Sequence, residues 1–410
     1  MKWRDGMKKL IQIEATGVKI FEKTVKIDLY AKNRVIDDDE YTNLLIDQGN
    51  TKISTLNTIA FTGVNASGKT KTIQLIAFVI LLLQGKSVNN AMEKLHLIEI
   101  MDTACKLNIR TLFYEKSMAY KLDTAIEIRH SDEGSEEMAM ITEERLYAKE
   151  VKKIKSKKTL DYFDESMLTI VRGKDTEYLP DDVSIIIGHN NKMGYKKPDT
   201  GMYMINEYNA VNFNFLYRID SRYLPYIIKY LDSSIDYIDF KKDEGDFPQR
   251  TLRLKFKNND NEIVLNNPIE LENYISSGTI KGIYMITGII RVLRNGGYYI
   301  IDEIENHFNQ ELVASIVKLF SSERTNPRGA VIIFTTHYPE LLDRFKRNDN
   351  VYITRHGTRG ITITNLSDEL KRNDIKRSEV LQSDYLGGTA PSYDAFMDLK
   401  NHIIEYCKEV

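Results

Sequence analysis

Cysteine is nearly absent: Cys105 and Cys407 are the only two in 410 residues. Two thiols far apart in the chain exclude a disulfide scaffold and a cysteine zinc site, and they fit a reducing cytosol. Proline is scarce, with 8 residues, and the 22 glycines are scattered, so no stretch has the composition of a long flexible linker. Charge of one sign is missing too, since 57 basic against 59 acidic residues leave a formal net charge of −2. Such a molecule exerts no strong overall pull on nucleic acid, and any contact of that kind has to come from a local patch. The longest apolar stretch, Ile73 to Leu83, contains Gln74 and falls well short of the roughly 20 residues a membrane span needs. The start, Met1-Lys2-Trp3-Arg4-Asp5, lacks the basic-then-apolar layout of a secretion signal. A soluble cytoplasmic protein with no membrane partner is expected.

The composition is that of a folded chain: 42% hydrophobic and 10% aromatic residues suffice for one large core or several smaller ones. Apolar residues partly alternate from Ile11 to Leu29, which predicts strands broken at Gly17. Asp37-Asp38-Asp39-Glu40 reads as a solvated acidic loop. Thr58 to Thr62 is a short buried strand, and a helix is expected from Lys69 through the Ile73–Leu83 run. Alternating pieces such as Ala125-Ile126-Glu127-Ile128 predict antiparallel strands within 110–130 and 143–170. Residues 200–235, rich in Tyr, Asn and Ile, read as mainly helical, and Thr251 to Phe256 returns to sheet. Tyr298–Ile301 and Val331–Thr335 are the last core strands, with a helical tail after Pro391. There is no internal repeat and no long heptad run. The expected division is an N-terminal part of the core (1–100), an inserted strand and helix lobe (101–240), a C-terminal part of the core (241–365) and a tail (366–410).

Gly63-Val64-Asn65-Ala66-Ser67-Gly68-Lys69-Thr70 satisfies the full phosphate-loop pattern. Its glycines let the backbone curl until successive N–H groups, with Asn65 and Ser67 between them, point inward at phosphates. The helix that follows adds its positive N-terminal end. Lys69 is expected on the β- and γ-phosphates and the Thr70 hydroxyl on Mg²⁺. Tyr298 to Ile301 ends in Asp302-Glu303. A phosphate loop needs a partner carboxylate for its metal, so Asp302 is expected to hold Mg²⁺ and Glu303 to polarise the attacking water.

Lys69 and Asp302 stand 233 residues apart, more than a compact core needs, so a large segment is inserted between them. Ahead of the helix that leads to Asp302 stands Ser276-Ser277-Gly278-Thr279, a serine–glycine turn that makes a second anion site. Thr335-Thr336-His337 follows a buried strand. In this order and spacing the chain resembles the ABC-type ATPases, including their chromosome-maintenance and DNA-repair branch, over roughly residues 10–90 and 250–365. The resemblance implies an α/β ABC-type ATPase domain with ATP as its nucleotide. It also implies a homodimer or higher homo-oligomer in which the signature of one subunit caps the γ-phosphate bound by another. Ser276 and Gly278 match that signature, while Ser277 replaces its usual first glycine. His337 matches the switch histidine on the γ-phosphate. The family usually has a glutamine loop between phosphate loop and signature, yet residues 85–248 contain no glutamine. Glu115 or an asparagine is expected to stand in, or turnover to be slow.

A narrower resemblance is carried by Asp302-Glu303-Ile304-Glu305-Asn306, Phe334-Thr335-Thr336-His337 and Arg347-Asn348-Asp349. Arg372-Asn373-Asp374-Ile375-Lys376-Arg377-Ser378 and Tyr385-Leu386-Gly387-Gly388 add to it. These look like the stand-alone AAA-family ATPases related to the overcoming-lysogenization-defect nucleases, of the RloA and AbiL type found in abortive-infection and anti-phage systems. Asn309 departs from the histidine that the subgroup often has there. Arg347, Arg372 and Arg377 have a plainer reading as salt-bridged surface residues. The related nucleases carry a Toprim module with an Asp-x-Asp pair. The 73 residues after His337 contain none, so a separate effector, a nuclease or toxin, is expected to act.

Lys149, Lys152, Lys153, Lys155, Lys157 and Lys158 form the one dense positive segment. It reads either as a solvated face or as a DNA or RNA backbone contact without base stacking. The expected role is an ATP-hydrolysing regulator in anti-phage defence that dimerises around ATP. Two rivals stand beside it. A DNA-repair or chromosome-maintenance ATPase would call for a long arm or tight DNA binding, and the sequence has no coiled-coil arm. A non-hydrolysing ATP-binding scaffold would explain the absent glutamine.

Overall fold

A computed structural model describes residues 7–35, 42–48, 51–101, 105–130, 137–174, 176–195, 202–207, 222–242, 250–306, 308–372, 374–390 and 393–408. The acidic stretch Asp37–Glu40 lies outside them. Thr58–Thr62, Tyr298–Ile301 and Val331–Thr336 are buried at every position. Unbroken apolar burial is the mark of strands covered on both faces, and these three pair in parallel at the centre of a six-stranded sheet. The order across it is Met204–Glu207, Tyr298–Ile301, Val331–Thr336, Thr58–Thr62, Val351–His356 and Ile361–Asn365. Only the last strand runs antiparallel to its neighbour.

A second six-stranded sheet is antiparallel throughout, in the order Val25–Asp28, Lys9–Thr16, Leu107–Glu115, Met118–His130, Glu137–Glu150 and Leu168–Val171. Lys116 and Ser117, both at positive φ, make the two-residue turn that joins its third and fourth strands. The helix Lys69–Leu83 has 12 of its 15 residues buried, which leaves no face for water. It sits in an apolar core that takes residues from both large sheets, among them Ile13, Phe113, Ile300 and Ile333. Two tyrosines stitch the sheets together. The Tyr298 hydroxyl accepts from the Leu10 N–H at 2.7 Å, and the Tyr352 hydroxyl accepts from the Asp28 N–H at 2.7 Å. A second core, on helices Ser277–Asn295 and Gln310–Ser321, includes the facing residues Tyr299, Ile301 and Phe334 of the nucleotide sheet. A three-stranded sheet (Ile235–Lys242, Arg250–Phe256, Ile263–Leu265) and a hairpin (Thr42–Gln48, Thr51–Leu56) complete the strands.

The sheets do not follow the divisions read from the sequence at 100 and 240. Lys9–Thr16 pairs with Leu107–Glu115 across the first of them. Met204–Glu207, in the stretch read as mainly helical, is the parallel edge of the nucleotide sheet, and only Leu224–Leu231 of that stretch is a described helix. Side chains explain the strand: it lies beside Tyr298–Ile301, and Gly297 admits it because a Cβ there would sit 2.1 Å from the Tyr203 carbonyl oxygen. No helix among the described residues is long and apolar enough to cross a membrane.

The lysine run divides into buried anchors and exposed ends, one of which, Lys152, pairs with Glu150. Lys149 is buried, and its ammonium donates to the carbonyls of Thr159, Leu160 and Tyr162 at 2.7, 3.0 and 2.7 Å. Lys157 donates likewise to the carbonyls of Ala31, Lys32 and Asn33. Lys152, Lys153, Lys155 and Lys158 stay exposed. Lys149→Ala orphans three carbonyls and is expected to cost about 2–4 kcal/mol, against less than about 0.5 kcal/mol for Lys152→Ala. Urea unfolding of the two variants checks this.

Candidate nucleotide site

The three central parallel strands end at one edge of the sheet, where an open α/β sheet places its ligand. Their register brings the motif residues level: Ile301 lies opposite Phe334, and Thr336 opposite Thr62. Asp302 therefore follows its strand directly beside Thr335 and the start of the phosphate loop. The loop itself needs its glycines. A Cβ on Gly63 would sit 2.2 Å from the Thr354 carbonyl oxygen, and one on Gly68, at φ +88°, would meet Ile361 at 2.5 Å. Ser67 is fully buried and shares a hydrogen bond of 2.7 Å with the Thr354 hydroxyl, which fixes the loop to the neighbouring strand.

Lys69 donates to the carbonyls of Gly63 and Val64, both at 3.0 Å. Burial pulls its ammonium below the ordinary lysine range, and the negative field of Asp302, Glu303 and Glu305 opposes that. The Thr70 hydroxyl donates to Asp302 Oδ2 at 2.7 Å. Thr335 supplies a second hydroxyl, which donates to Asp302 Oδ1 and accepts from the Glu303 N–H at 2.7 Å. Glu303 stands at φ +46°, a left-handed conformation that costs on the order of 1 kcal/mol for a residue with a Cβ. Asn306 holds its carboxylate by an N–H bond of 2.6 Å to Oε2. His337 Nε2 is 3.8 Å from Glu303 Oε1, and the His337 backbone N–H donates to Glu305 Oε1.

These groups open on a cleft of about 540 Å³. Asn65 to Lys71 form its phosphate-loop side, Glu303 and His337 stand over it, and Ile20, Ile100 and Ile361 give an apolar wall. The residues fit the group their motif implies: a curled loop with no room for a side chain at Gly63 or Gly68, a lysine, and a hydroxyl paired with a carboxylate. Thr70 and Asp302 offer the hard oxygen donors of a Mg²⁺ site completed by phosphate.

Ser276 caps the helix Ser277–Asn295, its hydroxyl accepting from the Thr279 N–H at 3.0 Å. Ser276 and Ser277 are exposed, and neither they nor Gly278 line the cleft that holds Lys69. Glu115, read as a stand-in for the missing glutamine, is elsewhere. It is fully buried against His189 at 2.6 Å and bonded to the Tyr195 hydroxyl, so it ties the strand Leu107–Glu115 to the helix Ile186–Lys192. Asn309 caps the helix Gln310–Ser321 through the Leu312 N–H at 2.8 Å, a use that suits asparagine. Of the three arginines read as surface pairs, only Arg372 is one, with Asp374. Arg347 is buried on Asp349, and Arg377 is buried near Asp343.

Sequence reasoning passed over Thr335, Glu305, Asn306 and Thr354 as site residues. Thr335, Glu305 and Asn306 lie within the quoted motifs, which was the available signal. Thr354 and the three isoleucines carried none, because only the folded chain brings them to the loop.

No curated protein matches the chain. A family model described as "AAA domain, putative AbiEii toxin, Type IV TA system" matches residues 59–343. That span runs from the strand before the phosphate loop to beyond His337 and takes in well over half of the chain, so the protein belongs to this AAA-domain family.

Proposed function

We propose that this protein is a Mg²⁺-dependent ATPase of the ABC type whose active site is completed by a second copy of the chain. The observation that carries this reading is the separation of two half-sites. Lys69, Thr70, Glu303 and His337 gather around one cleft, with Asp302 bonded to Thr70, while Ser276 and Ser277 sit exposed on a helix N-terminus outside it. A head-to-tail pair brings the second half-site of each subunit to the phosphates of the other. Magnesium, when bound at Thr70 and Asp302, supplies positive charge against the phosphates. Glu303 accepts the proton of the attacking water, His337 donates toward the γ-phosphate, and the apolar wall of Ile20, Ile100 and Ile361 receives the base.

The work done is conformational, ATP closing the pair and release opening it. By the family's tie to abortive-infection and toxin systems, the change is read by a separate effector in anti-phage defence. Lys152, Lys153, Lys155 and Lys158 are the candidate contact to a nucleic-acid backbone. The test is the solution mass with ATP and Mg²⁺. An ATP-dependent rise that Ser276→Arg abolishes supports the composite site. A rise that survives Ser276→Arg overturns it. A chain that binds ATP yet never changes mass or releases phosphate belongs to the scaffold reading.

A further inference from the structure

The last described helix, Tyr393–Tyr406, buries none of its residues. Phe396, Leu399, Ile403 and Tyr406 are 58, 58, 52 and 74% exposed. Their spacings of three, four and three residues set them in one stripe, the seam pattern of paired helices. A 14-residue helix none of whose residues is buried is marginal on its own in water, so its seam calls for cover.

We propose that two copies of this chain pair through this helix, antiparallel about a two-fold axis beside Asn401, without nucleotide. The stripe is self-complementary on reversal. Phe396 meets the partner subunit's Tyr406, Leu399 meets the partner subunit's Ile403, and the axis repeats both contacts. An isologous interface requires that each residue pair recur in this way. Aromatic side chains remove roughly 150–250 Å² each when fully buried, and Leu and Ile somewhat less. At the exposures above, the seam offers on the order of 500 Å² per chain, so the pair reaches about 1,000 Å², the lower limit for a specific interface. The contact makes no use of the ATP site and stands whether or not that site is composite.

Sedimentation of the full chain without nucleotide, at tens of micromolar, is the test. The wild type is expected as a dimer, and Phe396→Glu/Ile403→Glu as a monomer that keeps a cooperative circular dichroism melt, because both side chains lie outside the two large cores. In a Cys105→Ser/Cys407→Ser background, Leu399→Cys and Ile403→Cys chains are oxidised separately and mixed. Disulfide dimers are expected chiefly in the mixture. A monomeric wild type, a dimer that survives the double variant, or cross-links no stronger in the mixture than in either chain alone would each overturn the proposal.

Discussion

Glu303→Gln is expected to lower ATP-dependent phosphate release by a factor of about 10² to 10⁴, the usual contribution of a positioned general base. The substitution keeps the size of the side chain and its bond from Asn306 and removes only the capacity to take a proton. Nucleotide affinity should stay within a few-fold, since Lys69 and the loop are untouched. Single-turnover phosphate release together with equilibrium ATP binding separates the two effects. Equal loss of both would mean that Glu303 holds the nucleotide rather than activating water. Unchanged release would remove Glu303 from the reaction and leave His337, 3.8 Å away, as the nearest titratable alternative.

Thr335→Val should be nearly as damaging, although Thr335 is no acid, base or phosphate ligand. Its hydroxyl donates to Asp302 Oδ1 and accepts from the Glu303 N–H, so one isosteric change takes this partner from both, although Asp302 Oδ2 keeps its bond from Thr70. Each lost partner costs about 1–3 kcal/mol, and the turn that holds Glu303 at positive φ loses its brace. A rate loss on the order of 10²-fold is expected, in line with a misplacement of catalytic groups. Thr335→Ser restores the hydroxyl and should recover most of the rate. Thr336→Val is the neighbouring control. The Thr336 hydroxyl only accepts from the Tyr338 N–H at 3.0 Å, and its loss should cost much less. Urea unfolding and kcat for the three variants decide the matter. A Thr335→Val enzyme with native rate would show that Asp302 and Glu303 hold their places without it.

The division between what could be read early and what could not has a physical cause. The phosphate loop, Asp302-Glu303 and His337 are legible because each is a short local pattern at the end of an apolar strand. The roles of Thr335 and Thr354 come from register between strands far apart in sequence, and no local pattern encodes register. Glu115 misled for the same reason: its fate is set by His189 and Tyr195, more than 70 residues onward. Met204–Glu207 is a strand because it lies on Tyr298–Ile301, not because its four residues favour extension. The lysine run was legible as charge but not as anchors, since the carbonyls that bind Lys149 and Lys157 belong to turns whose shape the sequence does not state.

The helix Lys69–Leu83 starts under the phosphate loop and is buried along most of its length. At the far end the Leu83 carbonyl is gripped twice, by the Lys8 ammonium at 3.3 Å and the Asn190 side chain at 3.2 Å. Asn190 follows His189, whose ring binds Glu115, and all of this lies in the antiparallel sheet and the short helix Ile186–Lys192 packed on it. A close-packed rod held at both ends passes displacement along its axis rather than absorbing it. The phosphate loop and the clamped Leu83 carbonyl are thus two ends of one packed element about 21 Å long, given a rise of about 1.5 Å per residue. Loss of that remote clamp would free the far end of the helix while leaving the contacts of Lys69 and Thr70 at the loop end in place.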